Sequence, residues 1–204
     1  LNGAVFVDDK AYRFMGESME GICPLASEQA WTGKYVTSKP TGSWTNIDFD
    51  DSSWKSGEAP WGGGDDNYNK TVKTPWSGGN VDIYVRRSFT LDEIDPNASY
   101  YLMYKHDDVF ELYINGTRVV STGETWDVSG TAVKIDRNLL QTGNNILACH
   151  CHNTTGGAYV DMGIYLSVLE EAQQKSCTVT ATSTYYTFQC GGIDLDVVFT
   201  TPQV

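Results

Sequence analysis

The sequence predicts an all-β protein in which two sheets face each other as a sandwich. Three observations carry this reading. The run Tyr100–Val120, YYLMYKHDDVFELYINGTRVV, alternates with a period of two. Leu102, Tyr104 and His106 share one face of a strand, and Phe110, Leu112 and Ile114 repeat the pattern after an Asp107-Asp108 turn. Twenty Gly against six Pro, with many Thr, Ser and Tyr, suit strands joined by tight turns. No heptad, internal repeat or low-complexity tract interrupts this pattern.

Taken in order, residues 3–16 read as a hairpin turning at Asp8-Asp9-Lys10. Residues 17–30 have no period and read as a connection. Residues 31–61 carry turn chemistry, with Asp50-Asp51-Ser52-Ser53 forming side-chain to backbone bonds and the tryptophans closing one end of the sandwich. Residues 62–79 are Gly-rich and read as a surface loop. No Lys-Ser/Thr pair follows the glycines, so they are not a phosphate loop. Val81–Leu91 is a strand and 92–97 a turn. Tyr100–Val120 then forms a central meander, its Asn115-Gly116 pair fitting a type I′ turn. A short strand is expected at 133–135 and one helical turn at 136–143, capped by Asp136. Asn145–His152, Ala158–Val168, 176–181, 185–190 and 193–200 are further strands.

A net charge of −12 excludes a phosphate-binding surface for nucleic acid and an anionic membrane surface. No apolar run of about 18 residues offers a membrane span. The start at Leu1 without Met leads to the expectation of a processed or excised piece of a longer protein. Five cysteines leave at least one unpaired within the chain. In NILACHCHN, Cys149 and Cys151 alternate with His150 and His152, so the two pairs face opposite ways and cannot jointly ligate a metal. The cysteines read as small core residues. Cys177 and Cys190 would fall opposite each other on a hairpin, which allows a disulfide.

Two resemblances follow from quoted stretches. FDDSSWKSGEAPWG (49–62), IYVRRSFTL (83–91), HDDVFELYINGTRV (106–119) and residues 139–166 resemble the galactose-binding-like modules attached to glycoside hydrolases, including β-galactosidase sugar-binding domains. That resemblance implies a jelly-roll β-sandwich with extra flanking strands from both ends of the chain. GAVFVDDKAYRFMG (3–16) and residues 178–204 resemble parts of the glutaminase A family. Together they imply three segments: 1–30 as a glutaminase A-like hairpin and linker, 31–169 as the sandwich, and 170–204 as the start of another β-domain. They further imply an exported parent, periplasmic or at the cell surface.

For catalysis, neither a G-x-S-x-G elbow nor an H-E-x-x-H motif is present. The pairs Asp65/Asp66 and Asp107/Asp108 read first as turn formers, because glycosidase carboxyls flank a cleft rather than adjoin. No catalytic residue is expected in this chain. Sugars bind through aromatic faces and planar polar groups. Trp61, Tyr68, Trp76 and Trp126 are the aromatic candidates. Asp107, Asp108, His152, Asn153 and Tyr159 are the polar ones, with His106 approaching His152 if their strands pair. The expected partners are a glycan and the other domains of a parent chain. No cofactor is expected; a calcium ion on loop aspartates is conceivable, but no ligand loop is recognisable. The alternatives are a purely structural interdomain module and the N-terminal part of an amidohydrolase.

Overall fold

A computed structural model describes residues 4–7, 10–13, 19–168, 178–181, 185–190 and 193–198. In chain order the strands are β1 (Ala4–Val7), β2 (Lys10–Arg13), β3 (Met19–Cys23), β4 (Thr32–Val36), β5 (Lys55–Glu58), β6 (Trp61–Gly63), β7 (Thr74–Pro75), β8 (Val81–Leu91), β9 (Ala98–Asp107), β10 (Val109–Ile114), β11 (Thr117–Ser121), β12 (Trp126–Ile135), β13 (Gly143–Asn153), β14 (Ala158–Val168), β15 (Thr178–Ala181), β16 (Tyr185–Cys190) and β17 (Ile193–Val198). One short helix, α1 (Asp66–Asn69), and a 3-10 turn at Arg137–Leu139 complete the set.

The chain divides into two compact units, Met19–Val168 and the terminal segments Leu1–Ser18 with Leu169–Val204. In the terminal unit β1 and β2 form an antiparallel hairpin, and β15, β16 and β17 form an antiparallel sheet. Cys177, and with it the Cys177–Cys190 disulfide, lies outside the described residues.

Met19–Val168 is an all-β sandwich. One sheet has the order β11-β10-β13-β8-β4-β5 and the other β12-β9-β14-β6-β7, with β3 also pairing β14. Burial follows the period-two pattern. Ile83, Val85, Phe110, Leu112, Leu147 and Cys149 from the first sheet, with Leu102, Val160, Met162 and Ile164 from the second, are fully buried in one core. Each large apolar side chain withdrawn from water in this way contributes about 1.5–3 kcal/mol. Cys149 and Cys151 are free thiols within that core, as the alternation predicts.

Several expectations are corrected. Tyr100–Val120 is not a meander. β9 pairs with β12 and β14, whereas β10 pairs with β11 and β13, so Asp107-Asp108 carries the chain from one sheet to the other. The connection expected at 17–30 contains β3, held on β14 through the Tyr165–Gly21 pairing. The short strand expected at 133–135 is the end of the ten-residue β12. The turn-rich 31–61 segment holds β4 and β5, and its Trp44, Phe49 and Trp54 cover the outer side of β8 rather than an end. Trp44 meets Tyr84 at 5.3 Å and Tyr113 at 5.8 Å. Arg86 fixes that cover, pairing with Asp51 at 2.7 Å and donating to the Trp44 and Asn46 carbonyls. Asn115 (φ 48°) and Gly116 (φ 92°) take the left-handed geometry the type I′ turn needs.

Inside the sandwich, two charged groups lock the 24–31 loop. Arg87 donates to the Pro24 carbonyl at 2.8 Å and the Met162 carbonyl at 2.6 Å, with its guanidinium 4.2 Å from the Trp31 ring. Asp161 accepts from the Trp31 indole at 3.0 Å and the Ala26 amide at 2.8 Å.

Candidate functional site

The end of β9 sits between two partner strands. Asp107 lies opposite Trp126 of β12 on one side and Tyr159 of β14 on the other. The chain then turns at Asp108 into the first sheet. The loop after β13 comes back over this corner: Thr154 donates its amide at 2.8 Å and its hydroxyl at 2.7 Å to Asp108 Oδ2. The same hydroxyl lies 2.9 Å from Glu124 Oε1. α1, capped by the Asp65 carboxylate accepting the Asn67 amide at 2.7 Å, presents Tyr68 to the corner. The Tyr68 ring packs on Tyr159 with centroids 5.5 Å apart. Gly157 permits this approach, since a Cβ there would stand 2.6 Å from the Tyr68 ring.

The result is a cleft of about 390 Å³ lined by Asp65, Tyr68, Asp107, Asp108, Glu124, Trp126, Thr154, Thr155 and Gly157. Trp126 is 70% exposed, whereas Asp107 and Asp108 are each 7% exposed. Burial, then the neighbouring Asp108 carboxyl, pushes Asp107 up to about 7. Burial also acts on Asp108, but the hydrogen bonds from Thr154 outweigh it and hold that carboxyl below its ordinary value. Tyr68 is pushed up to about 12 by burial and then by the Asp107 carboxylate beside it. Two adjacent carboxyls thus differ in ionisation because only one of them is well solvated by protein donors.

Four of the predicted site residues, Tyr68, Asp107, Asp108 and Trp126, are brought together in this cleft. Tyr159 backs it from behind at 8% exposure. The others are elsewhere. Trp61 is fully buried against Trp31, with centroids 5.1 Å apart, so it presents no face to a ligand. His106 points into the core at 3% exposure, stacked on Phe110, with Nδ1 2.6 Å from the Asp108 carbonyl. Burial holds its imidazole below the ordinary histidine range. It does not approach His152, because β9 and β13 belong to different sheets. His152 instead lies on the outer side of β13, where His150 Nε2 and His152 Nδ1 stand 2.7 and 3.0 Å from Asp82 Oδ1. Asn153 is fully buried and donates to the Gly78 carbonyl at 2.6 Å. Trp76 is 5% exposed and borders a separate hollow with Pro75, Ser77, Asn80 and Asp82.

The sequence predicts no contact from Glu124, Thr154 or Thr155, and it favours turn formation over acid–base chemistry for Asp65 in the Asp65/Asp66 pair. The T-T-G-G loop after β13 was the available sign, since a loop between long strands is where a fold exposes polar groups. Among the described residues, no group of three His, Cys, Asp or Glu is arranged to hold a metal ion.

No protein-family model matches the chain, and no curated protein sequence matches it. Solved structures do share its fold. A β-glycosidase from Bacteroides vulgatus aligns with a TM-score of 0.50 at 14% identity, over 84% of this chain and 23% of that one. A glycosyl hydrolase family 2 member from Bacteroides cellulosilyticus aligns with a TM-score of 0.50 at 13% identity, over 77% of this chain and 23% of that one. The chain therefore spans about a quarter of the length of these glycosidases, and what it has in common with them is an all-β sandwich fold.

Proposed function

We propose that this chain is a non-catalytic accessory module that binds carbohydrate at the corner cleft, within a larger exported protein. The observation that carries the reading is Trp126. A 70% exposed indole sits at the mouth of a cleft walled by Tyr68 and buried carboxyls. Isolated surface apolar residues are common, but a large aromatic beside convergent polar groups is how proteins hold the two sides of a sugar ring. The sandwich fold, met in part of glycosidase chains, is compatible with this role without fixing it. The parent is either glycosidase-like, as the sandwich suggests, or glutaminase A-like, as the terminal segments suggest.

The test is titration calorimetry of the 204-residue chain against a panel of neutral, amine-bearing and acidic oligosaccharides. The expected result is binding by at least one sugar class, lost in Trp126→Ala while the fold is kept. Absence of binding across the panel overturns the reading.

A further inference from the structure

Apart from the Tyr68 phenol, every ionisable side chain lining the corner cleft is a carboxyl: Asp65, Asp107, Asp108 and Glu124. Elsewhere in the sandwich some carboxylates are held by hydrogen bonds alone, as Asp127 is by Ser129, Gly130 and Thr131, and three have basic partners. Asp51 has Arg86, Glu111 has Arg118, and Asp82 has His150 and His152. Among the described residues, none of the four cleft carboxyls lies within ion-pair distance of a Lys, Arg or His. Two of them, Asp107 and Asp108, are more than nine-tenths buried and still face the cleft.

A buried carboxylate without a counter-charge is unfavourable; Thr154 offsets this for Asp108 by donating its amide and hydroxyl, while nothing positive answers Asp107. A ligand that brings a positive charge removes that penalty. The second wall has the matching chemistry, because an exposed indole face attracts a cation and also packs against C–H groups. A bare metal ion would leave the indole without a role, and the carboxyls are not arranged around a common point. Resting on the carbohydrate reading above, we infer that the cleft takes a sugar ring bearing a free amine. Its ammonium lies along the carboxyl wall that runs from Asp107 and Asp108 to Glu124, and its C–H face lies on Trp126. A uronic acid, with its own carboxylate, would face the like charges of Asp65, Asp108 and Glu124 and is excluded.

The experiment compares three probes against the full chain by calorimetry at pH 6: a glucosamine disaccharide, its N-acetylated counterpart, and a glucuronate-containing disaccharide. The amine probe is expected to bind about tenfold or more tightly than the acetylated one, the increment of one charge-assisted hydrogen bond. That gap narrows when salt is raised, and narrows again in the exposed-site variant Glu124→Gln. The glucuronate probe is expected not to bind. Equal affinity for the amine and acetylated probes, or tighter binding of glucuronate, overturns this inference and leaves the carbohydrate reading standing. No binding by these probes or by the neutral panel overturns both.

Discussion

Asp107 makes the cleft a place where stability is given up, and the amount can be measured. An ordinary aspartate ionises near 3.8, whereas in the fold this one does so near 7, because burial and then Asp108 oppose its charge. Between those two pH values the native state holds a proton that the unfolded chain has lost. Stability contributed by this group is therefore present below about pH 4 and falls as pH rises toward 7. The gap of about three pH units corresponds to about 4 kcal/mol at most, at 1.36 kcal/mol per unit. Water in the open cleft makes about 2 kcal/mol a reasonable lower figure. Asp107→Asn keeps the shape and cannot ionise. The variant should match the parent at pH 4 and exceed it by about 2–4 kcal/mol at pH 8. Urea unfolding followed by tryptophan fluorescence is the suitable assay, because all six tryptophans belong to the Met19–Val168 unit. Asp161, pushed up to about 6 chiefly by burial, is present in both proteins and cancels in the difference. Stability profiles that stay parallel from pH 4 to 8 would refute the account of a desolvated carboxyl.

Three further outcomes are expected. Gly157→Ala places a methyl 2.6 Å from the Tyr68 ring, so the ring must move; sugar affinity should fall severalfold while thermal unfolding shifts by only a few degrees. Arg86→Met leaves Asp51 and the carbonyls of Trp44 and Asn46 without their donor, and should cost about 3 kcal/mol in urea unfolding. Cys149→Val should change stability by less than about 1.5 kcal/mol, and neither Cys149 nor Cys151 should react with a thiol reagent before unfolding, because burial removes access and pushes both thiols up.

The features legible in the sequence were those that depend on near neighbours. Alternation placed Leu102, Tyr104, Phe110 and Leu112 in the core and marked the Asn115-Gly116 turn, because side-chain facing in a strand is a local property. The same rule put Cys149 and Cys151 inside and His150 and His152 outside. What stayed hidden required partners far along the chain. β3 has an exposed, unpatterned sequence and becomes a strand only because β14 offers it an edge about 140 residues later. Trp61 looked like a loop aromatic amid glycines, yet Trp31 and Tyr35 enclose it from a separate strand and loop. His150 and His152 gained Asp82 in the same way, through the β13–β8 pairing.

The most consequential long-range fact is the fate of the Asp107-Asp108 pair. Local pattern correctly ended one strand and began another there, but a hairpin and a change of sheet have the same local pattern. Had β9 and β10 paired, both aspartates would have stood at an open turn, solvated and without walls. Because β9 pairs instead with β12 and β14, Asp107 has Trp126 on one side and Tyr159 on the other. Because β10 leaves for the opposite sheet, the β13–β14 loop can reach across and clamp Asp108 through Thr154. The same two residues are thus turn formers and cleft walls at once. The burial that raises Asp107 follows from strand topology, so a binding role for this pair stands or falls with the sheet change rather than with the sequence motif.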